Sequence, residues 1–73
     1  LNITFTASSK ETYKFIITDL TGRVLESKNF ELITGPNNVS FNINNDINNG
    51  IYVISVADRG NMKSRIFVLS RQD

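Results

Sequence analysis

The sequence predicts an all-β protein, a small antiparallel sandwich of six to seven strands. Apolar and polar residues alternate in most segments, and turn-forming residues separate these segments at short intervals. No segment has the apolar spacing of a helix. A chain of 73 residues is long enough for one domain only, so residues 1–73 are expected to fold as a unit. Because the chain starts at Leu1 directly in a strand pattern, we expect it to be a fragment of a larger protein.

The first two strands are predicted at residues 1–6 and 12–19, with a polar turn at residues 7–11 between them. Their alternation directs six apolar side chains to the core: Leu1, Ile3, Phe5, Tyr13, Phe15 and Ile17. Asp19 and Gly22 then hold the first and fourth positions of a turn. This spacing predicts a type I turn closed by a left-handed glycine, and therefore a tight hairpin.

The third strand is predicted at residues 23–30. Two consecutive apolar residues, Val24 and Leu25, break its alternation and indicate either a bulge or a start that is covered on both faces. Residues 35–38, with the sequence Gly-Pro-Asn-Asn, favour a turn. A fourth strand is predicted to follow at residues 39–43, where Val39, Phe41 and Ile43 alternate with polar residues.

The central strand is predicted at residues 50–56, a glycine followed by mainly β-branched and aromatic residues. One face carries Tyr52, Ile54 and Val56, and the other is also largely apolar, so both faces are expected to contact other protein. Gly50 is expected to let the backbone turn sharply into this strand. In the polar loop before it, Ile47 is expected to plug the end of the core.

A short hairpin at residues 58–61 leads to the last strand, predicted at residues 62–70. This strand carries Lys63 and Arg65 on one face, after Arg59 in the turn. No exposed aromatic residue is expected between these charges, so they lack the stacking surface of proteins that bind single-stranded nucleic acid. The favoured interpretation is a charged edge strand that resists aggregation.

The composition excludes several functions. The chain has no Cys and no His, so it has no thiolate or imidazole metal ligand and no Ser-His or Cys-His nucleophile. Its net charge of +1 is too balanced to indicate a nucleic-acid or anionic-membrane partner. No apolar run is long enough for a membrane-spanning helix. We expect no cofactor, no nucleic-acid partner and no stable membrane insertion.

Two kinds of site stay open on the residues alone. Loop carboxylates at Asp19, Asp46 and Asp58 could form an acid-base pair, but Asp19 and Asp58 begin turns, where an Asp side chain caps backbone N–H groups. Asn44, Asp46 and Asn48 alternate as the first ligands of a calcium loop do. The rest of the calcium pattern does not match, because Gly50 comes one position late and Ser55 stands where a bidentate Glu is expected. We therefore predict no catalytic residue, no metal site and a solvated loop.

Three segments together resemble a known family. They are residues 13–25, with Asp19, Gly22 and Arg23 at the turn, residues 50–56, with Gly50 and Tyr52, and the basic-apolar strand at residues 63–69. With Asn38 and Ile47 between them, they resemble the type A C-terminal sorting domain of the type IX secretion system of Bacteroidetes. The resemblance implies a non-enzymatic signal, attached behind an N-terminal cargo, that directs this cargo through the periplasm and across the outer membrane.

The implied partners are protein components of the outer-membrane secretion machinery, and the implied location is the cell surface or the medium. Our hypothesis is that the C-terminal hairpin is the recognised surface and that Lys63 and Arg65 set the register of strand addition. The residues expected to serve folding are Asp19, Gly22, Gly50 and Tyr52. The alternative is an immunoglobulin-like or fibronectin-like accessory module that binds a polysaccharide or spaces the domains of a surface protein. Under either function, the expected fold is an immunoglobulin-like or fibronectin-like β-sandwich.

Overall fold

The computed structural model describes residues 1–71 and contains two antiparallel sheets. Its strands are β1 (Asn2–Ala7), β2 (Glu11–Thr18), β3 (Val24–Leu32), β4 (Gly35–Ser40), β5 (Gly50–Asp58) and β6 (Asn61–Leu69). One sheet has the order β3-β2-β5-β6, and the other consists of β1 and β4. The described residues form no helix, and therefore none that could span a membrane. The prediction of a small all-β sandwich is confirmed.

The core lies between the two sheets. Its buried apolar side chains are Phe5, Ala7, Tyr13, Phe15, Ile17, Leu32, Val39, Phe41, Ile54 and Val56. The Phe5 ring meets Tyr13 and Phe15 edge to face, with centroid distances of 5.5 and 5.4 Å, a favourable geometry for aromatic pairs. The predicted inward faces of the first two strands are thus confirmed except at Leu1, which is 40% exposed at the open end of the sandwich.

The connections on either side of β2 follow the prediction closely. Ala7, expected in the first turn, is instead buried in β1, and Glu11 already belongs to β2, so the turn is confined to residues 8–10. Ile17 pairs with Glu26 and Thr18 with Val24, which leaves Leu25 as an extra residue in β3. The predicted bulge is therefore confirmed.

The predicted turn at residues 35–38 is wrong, because these residues begin β4. Asn37 explains the difference: its side-chain amide donates to the carbonyl oxygens of Ile33 and Gly35, both at 2.9 Å, and its Oδ1 accepts from the Ile33 N–H at 3.2 Å. One side chain thus closes the connection at residues 33–34 and leaves the following residues free to pair with β1.

A proline within β4 is compatible with its pairing. Leu1 and Phe41 exchange backbone hydrogen bonds of 3.0 and 2.7 Å across β1 and the end of β4. Bonded and non-bonded pairs alternate in an antiparallel ladder, so Pro36, opposite Thr6, falls in a non-bonded pair. Its missing N–H would have pointed away from β1, and no ladder bond is lost.

Strand β5 is the central strand, as predicted, because β2 pairs with one of its edges and β6 with the other. Its inner residues Ile54 and Val56 are buried. The prediction that its outer face is also covered is wrong for the described chain: Ile51 is 50% exposed, because no third layer lies over that side.

Candidate functional site

The C-terminal hairpin consists of β5, a two-residue turn and β6. Arg59 and Gly60 form the turn with φ angles of 52° and 79°, the left-handed values that a tight hairpin requires. Strand β6 pairs with β5 only, so its second edge is unpaired among the described residues. Lys63 pairs with Val56 and Arg65 with Ile54. Since directly paired residues share a face, both cations lie on the inner face of the sheet, at its margin.

Lys63 and Arg65 differ in their surroundings. The Lys63 ammonium lies 3.6 Å from Asp58 Oδ2 and 5.3 Å from the centroid of the Phe5 ring. Within residues 1–71, Arg65 is exposed and its side chain makes no hydrogen bond or ion pair. Lys63 therefore contributes to the fold as well as to the surface charge, whereas Arg65 is available to a partner.

Asp58 is the buried polar side chain of the described core, with 3% exposure. Its Oδ2 accepts from the Ser8 backbone N–H at 3.1 Å, and its Oδ1 accepts from the Ser8 hydroxyl and, at 3.5 Å, from the Tyr13 hydroxyl. The Ser8 bonds, aided by the Lys63 charge, hold the pKa of the Asp58 carboxyl below its ordinary value, although burial opposes this. The expectation that Asp58 caps its own turn is wrong, because the carboxylate caps the turn after β1 instead.

The Asp19 turn matches its prediction. The Gly22 N–H donates to the Asp19 carbonyl oxygen at 3.1 Å, and Gly22 has a left-handed φ of 90°. Asp19 Oδ1 accepts from the Thr21 hydroxyl at 2.6 Å and from the Thr21 and Arg23 N–H groups at 2.9 and 3.0 Å. These bonds, with that of the Thr21 hydroxyl foremost, lower the pKa of Asp19.

Asp19 and Asp58 lie too far apart to act as an acid-base pair. Asp19 lies in the turn after Thr18, and Thr18 pairs with Val53 near the start of β5, whereas Asp58 ends that strand. The described residues contain no group of three or more His, Cys, Asp or Glu side chains that could hold a metal ion. The carboxylates of Asp19 and Asp58 are engaged in closing turns, and Asp46 takes part in its loop through its backbone N–H, which donates to Asn44 Oδ1 at 2.9 Å.

One family comparison gives a match. The secretion system C-terminal sorting domain family, whose members are sorting signals for type IX secretion, matches residues 1–70. The chain belongs to this family. Comparison with curated proteins and with solved structures gives no match. The chain is therefore a C-terminal sorting signal of type IX secretion, which confirms the functional prediction.

Membership in the sorting-domain family also bears on the partner and the location. A sorting domain is attached to a cargo protein and interacts with the type IX secretion machinery, and its parent protein is secreted or held at the cell surface. The family is not known as catalytic.

Side-chain packing explains why a glycine, Gly50, comes two residues before Tyr52 at the start of β5. Gly50 is not among the glycines with a positive φ, so the predicted sharp backbone turn is wrong. Instead the Tyr52 ring lies over it: a Cβ built on Gly50 would lie 3.6 Å from the ring, and the Tyr52 hydroxyl donates to the Asn48 carbonyl oxygen. Tyr52 thus ties the start of β5 to the preceding loop.

Arg71 is a structurally important residue that the sequence analysis did not single out. Its guanidinium donates to the carbonyl oxygens of Ile47 and, at 2.9 Å, of Asn44, and its backbone N–H donates to Asn49 Oδ1 at 3.0 Å. Two carbonyl oxygens of the loop therefore accept hydrogen bonds from a cation of the chain itself. Ile47 is only half-buried, and Ile43 is the nearby residue that packs against the core.

Proposed function

We propose that the type IX machinery recognises this sorting domain through its C-terminal hairpin, with Arg65 as the principal contact and Lys63 beside it. The supporting observation is that β6 is an edge strand with an unpaired side and that Arg65 is exposed without a partner in residues 1–71. An extended segment of a receptor adds to such an edge through backbone hydrogen bonds, and charged side chains select its register.

Residues 1–73 act in this proposal as one non-enzymatic domain at the end of a larger secreted protein. The cargo precedes Leu1, and the partners are protein components of the outer-membrane secretion machinery. The domain meets them from the periplasmic side and leads its cargo to the surface or the medium. Lys63 has a second role, because Asp58 and Phe5 hold it in place.

The test is an export assay in a bacterium with a type IX system. Residues 1–73 are fused behind a fluorescent reporter that is delivered to the periplasm, and the medium and cell surface are compared with those of a strain lacking the secretion pore. The unmodified fusion is expected outside the cell only when the pore is present. Arg65→Glu alone, and Lys63→Glu with Arg65→Glu, are expected to lower export at least tenfold, because they reverse the charge that the receptor meets.

Lys14→Glu is the matched control, since Lys14 is exposed on β2 and its side chain lies on the outer face of the sheet. It makes the same change in net charge away from the hairpin and should export normally. Normal export of a folded Arg65→Glu variant would contradict the proposed recognition surface. Retention of the unmodified fusion in the periplasm would instead favour an accessory module. The described surface offers such a module no large exposed aromatic side chain for binding a sugar.

A further inference from the structure

The two sheets of the sandwich differ in width, and this leaves a groove along β1. Strands in a sheet are about 4.8 Å apart, so the two-stranded layer covers only part of the four-stranded one. The groove measures about 590 Å³, and its lining includes Thr4 and Phe5 on one side, Ile54 and Val56 along the floor, and the β6 cations on the other side.

The β1 side of the groove is an unpaired strand edge. Because Leu1 and Phe41 form a hydrogen-bonded pair, alternation directs the backbone groups of Ile3 and Phe5 toward β4. The N–H and C=O groups of Asn2, Thr4 and Thr6 then point the other way, into the groove. Within the described chain no strand pairs with them.

The opposite side of the groove is basic. Lys63 and Arg65 both line it, and none of the lining residues within residues 1–71 is acidic. Their positions two apart on one strand place them about 7 Å from each other along β6. An extended segment with acidic residues at every second position has the same spacing on one of its faces.

We propose that this groove binds an extended acidic peptide, which adds to β1 as a third strand and directs its carboxylates to Lys63 and Arg65. A second copy of the chain fits less well. Residues 1–7 carry no acidic side chain, and pairing of two β1 edges would bring two sets of the same cations together. This site lies on the edge of β1 and goes beyond the β6 edge proposed for sorting.

The proposal is tested on the purified 73-residue chain, without secretion machinery, so that its failure leaves the sorting role untouched. The probe is the capped peptide Ac-TETETET-NH2, and the control is Ac-TQTQTQT-NH2, which has the same length and no charge. Binding is followed by NMR titration and by amide hydrogen exchange. We expect saturable binding of the acidic peptide, slower exchange of the Thr4 and Thr6 amides, and at least tenfold weaker binding of the control.

Two variants separate the charge from the strand edge. Arg65→Glu should weaken binding at least tenfold, while Lys14→Glu should change it less than twofold. Thr4→Pro removes a donor that β4 does not use, just as Pro36 is tolerated in the paired strand, and should abolish binding while the core resonances stay in place. Unchanged exchange at Thr4 and Thr6 would overturn the proposal, as would equal binding by Arg65→Glu. Protection of these amides by self-association without peptide would also overturn it.

Discussion

Gly22 and Gly50 both belong to the segments that resemble the sorting-domain family, but each is a glycine for a different physical reason. Gly22 has a φ of 90°, which an L-residue adopts only with strain, and nothing lies near the position of an added Cβ. Gly50 has no such φ, and an added Cβ would make an ordinary contact of 3.6 Å with the Tyr52 ring. Backbone geometry requires the first glycine, and the second only has to leave room for a ring.

Alanine at the two positions should therefore have different effects. Gly22→Ala is expected to lower the free energy of unfolding by about 1–2 kcal/mol, the cost of a left-handed residue with a Cβ. Gly50→Ala should change the free energy of unfolding by less than about 1 kcal/mol in either direction. Alanine introduces no backbone strain at this position, and it reduces the conformational entropy of the unfolded chain. Urea unfolding of both variants measures the difference. Equal destabilisation would contradict this account of the two glycines.

Asp58 should make stability depend on pH in the acid range. Its folded-state pKa lies below the ordinary value of about 3.9, so its contribution is fully present above that pH and is lost as the pH falls through the lower folded-state pKa. The unfolding free energy of the unmodified chain should therefore fall more steeply below about pH 4 than that of Asp58→Asn. Urea titrations at several pH values test this. Parallel curves for the two proteins would show that the Ser8 bonds do not shift the carboxyl.

At the scale of elements, the strands were predictable where the side-chain pattern is local. The alternation in β2 and the Asp19–Gly22 turn carry their own signals within a few residues, and both predictions are confirmed. The turn expected at residues 35–38 is wrong because strand pairing with β1 and the Asn37 side chain override the turn preference of Gly and Pro. Contacts such as Ser8 with Asp58 join residues fifty positions apart, and no spacing in the sequence indicates them.

The loop before β5 depends on a single side chain from the end of the chain. Arg71→Ala should lower the free energy of unfolding by about 1–2 kcal/mol, since it leaves the carbonyl oxygens of Asn44 and Ile47 without their charged donor. Exchange of the Ile47 amide, which donates to Asn44 at 3.0 Å, should accelerate.

Arg71→Lys is expected to restore little, because an ammonium lacks the fork that bonds two carbonyls at once. Lys10→Ala, at an exposed position in the first turn, serves as the control and should leave both readouts unchanged. Unaltered exchange at Ile47 in Arg71→Ala would mean that the loop is held by its own turn bonds alone.

For the whole molecule, the prediction of a sandwich succeeded because strands such as β1 and β2 show which of their faces is apolar. The unequal width of the sheets was not predictable, since alternation within a strand does not reveal which strands become neighbours. For the same reason the sequence did not predict that Ile66 and Val68, on the outer face of β6, would be exposed. They look like core residues in sequence, but they lie on β6 opposite Val53 and Ile51, on a face without a covering layer.

The two ends of the sandwich are formed by different parts of the chain. Leu1, Leu69 and Arg71 line one cavity, so both ends of the described chain lie at the same end of the domain. The Asp58–Asn61 turn lies at the opposite end, where Asp58 contacts Ser8. Strand β5, with 9 residues, runs between these ends over about 30 Å.

A cargo joined to Leu1 is consequently held a full strand length away from the tip of the hairpin. Flexible Gly-Ser linkers lengthen with residue number, so linkers of about 2 and about 20 residues between the cargo and Leu1 give very different reach. The amounts of the two fusions that are exported should differ by less than about twofold. A strong requirement for the longer linker in the export assay would contradict this geometry. The body of the domain, rather than a tether, thus keeps a bulky cargo away from the Asp58–Asn61 turn.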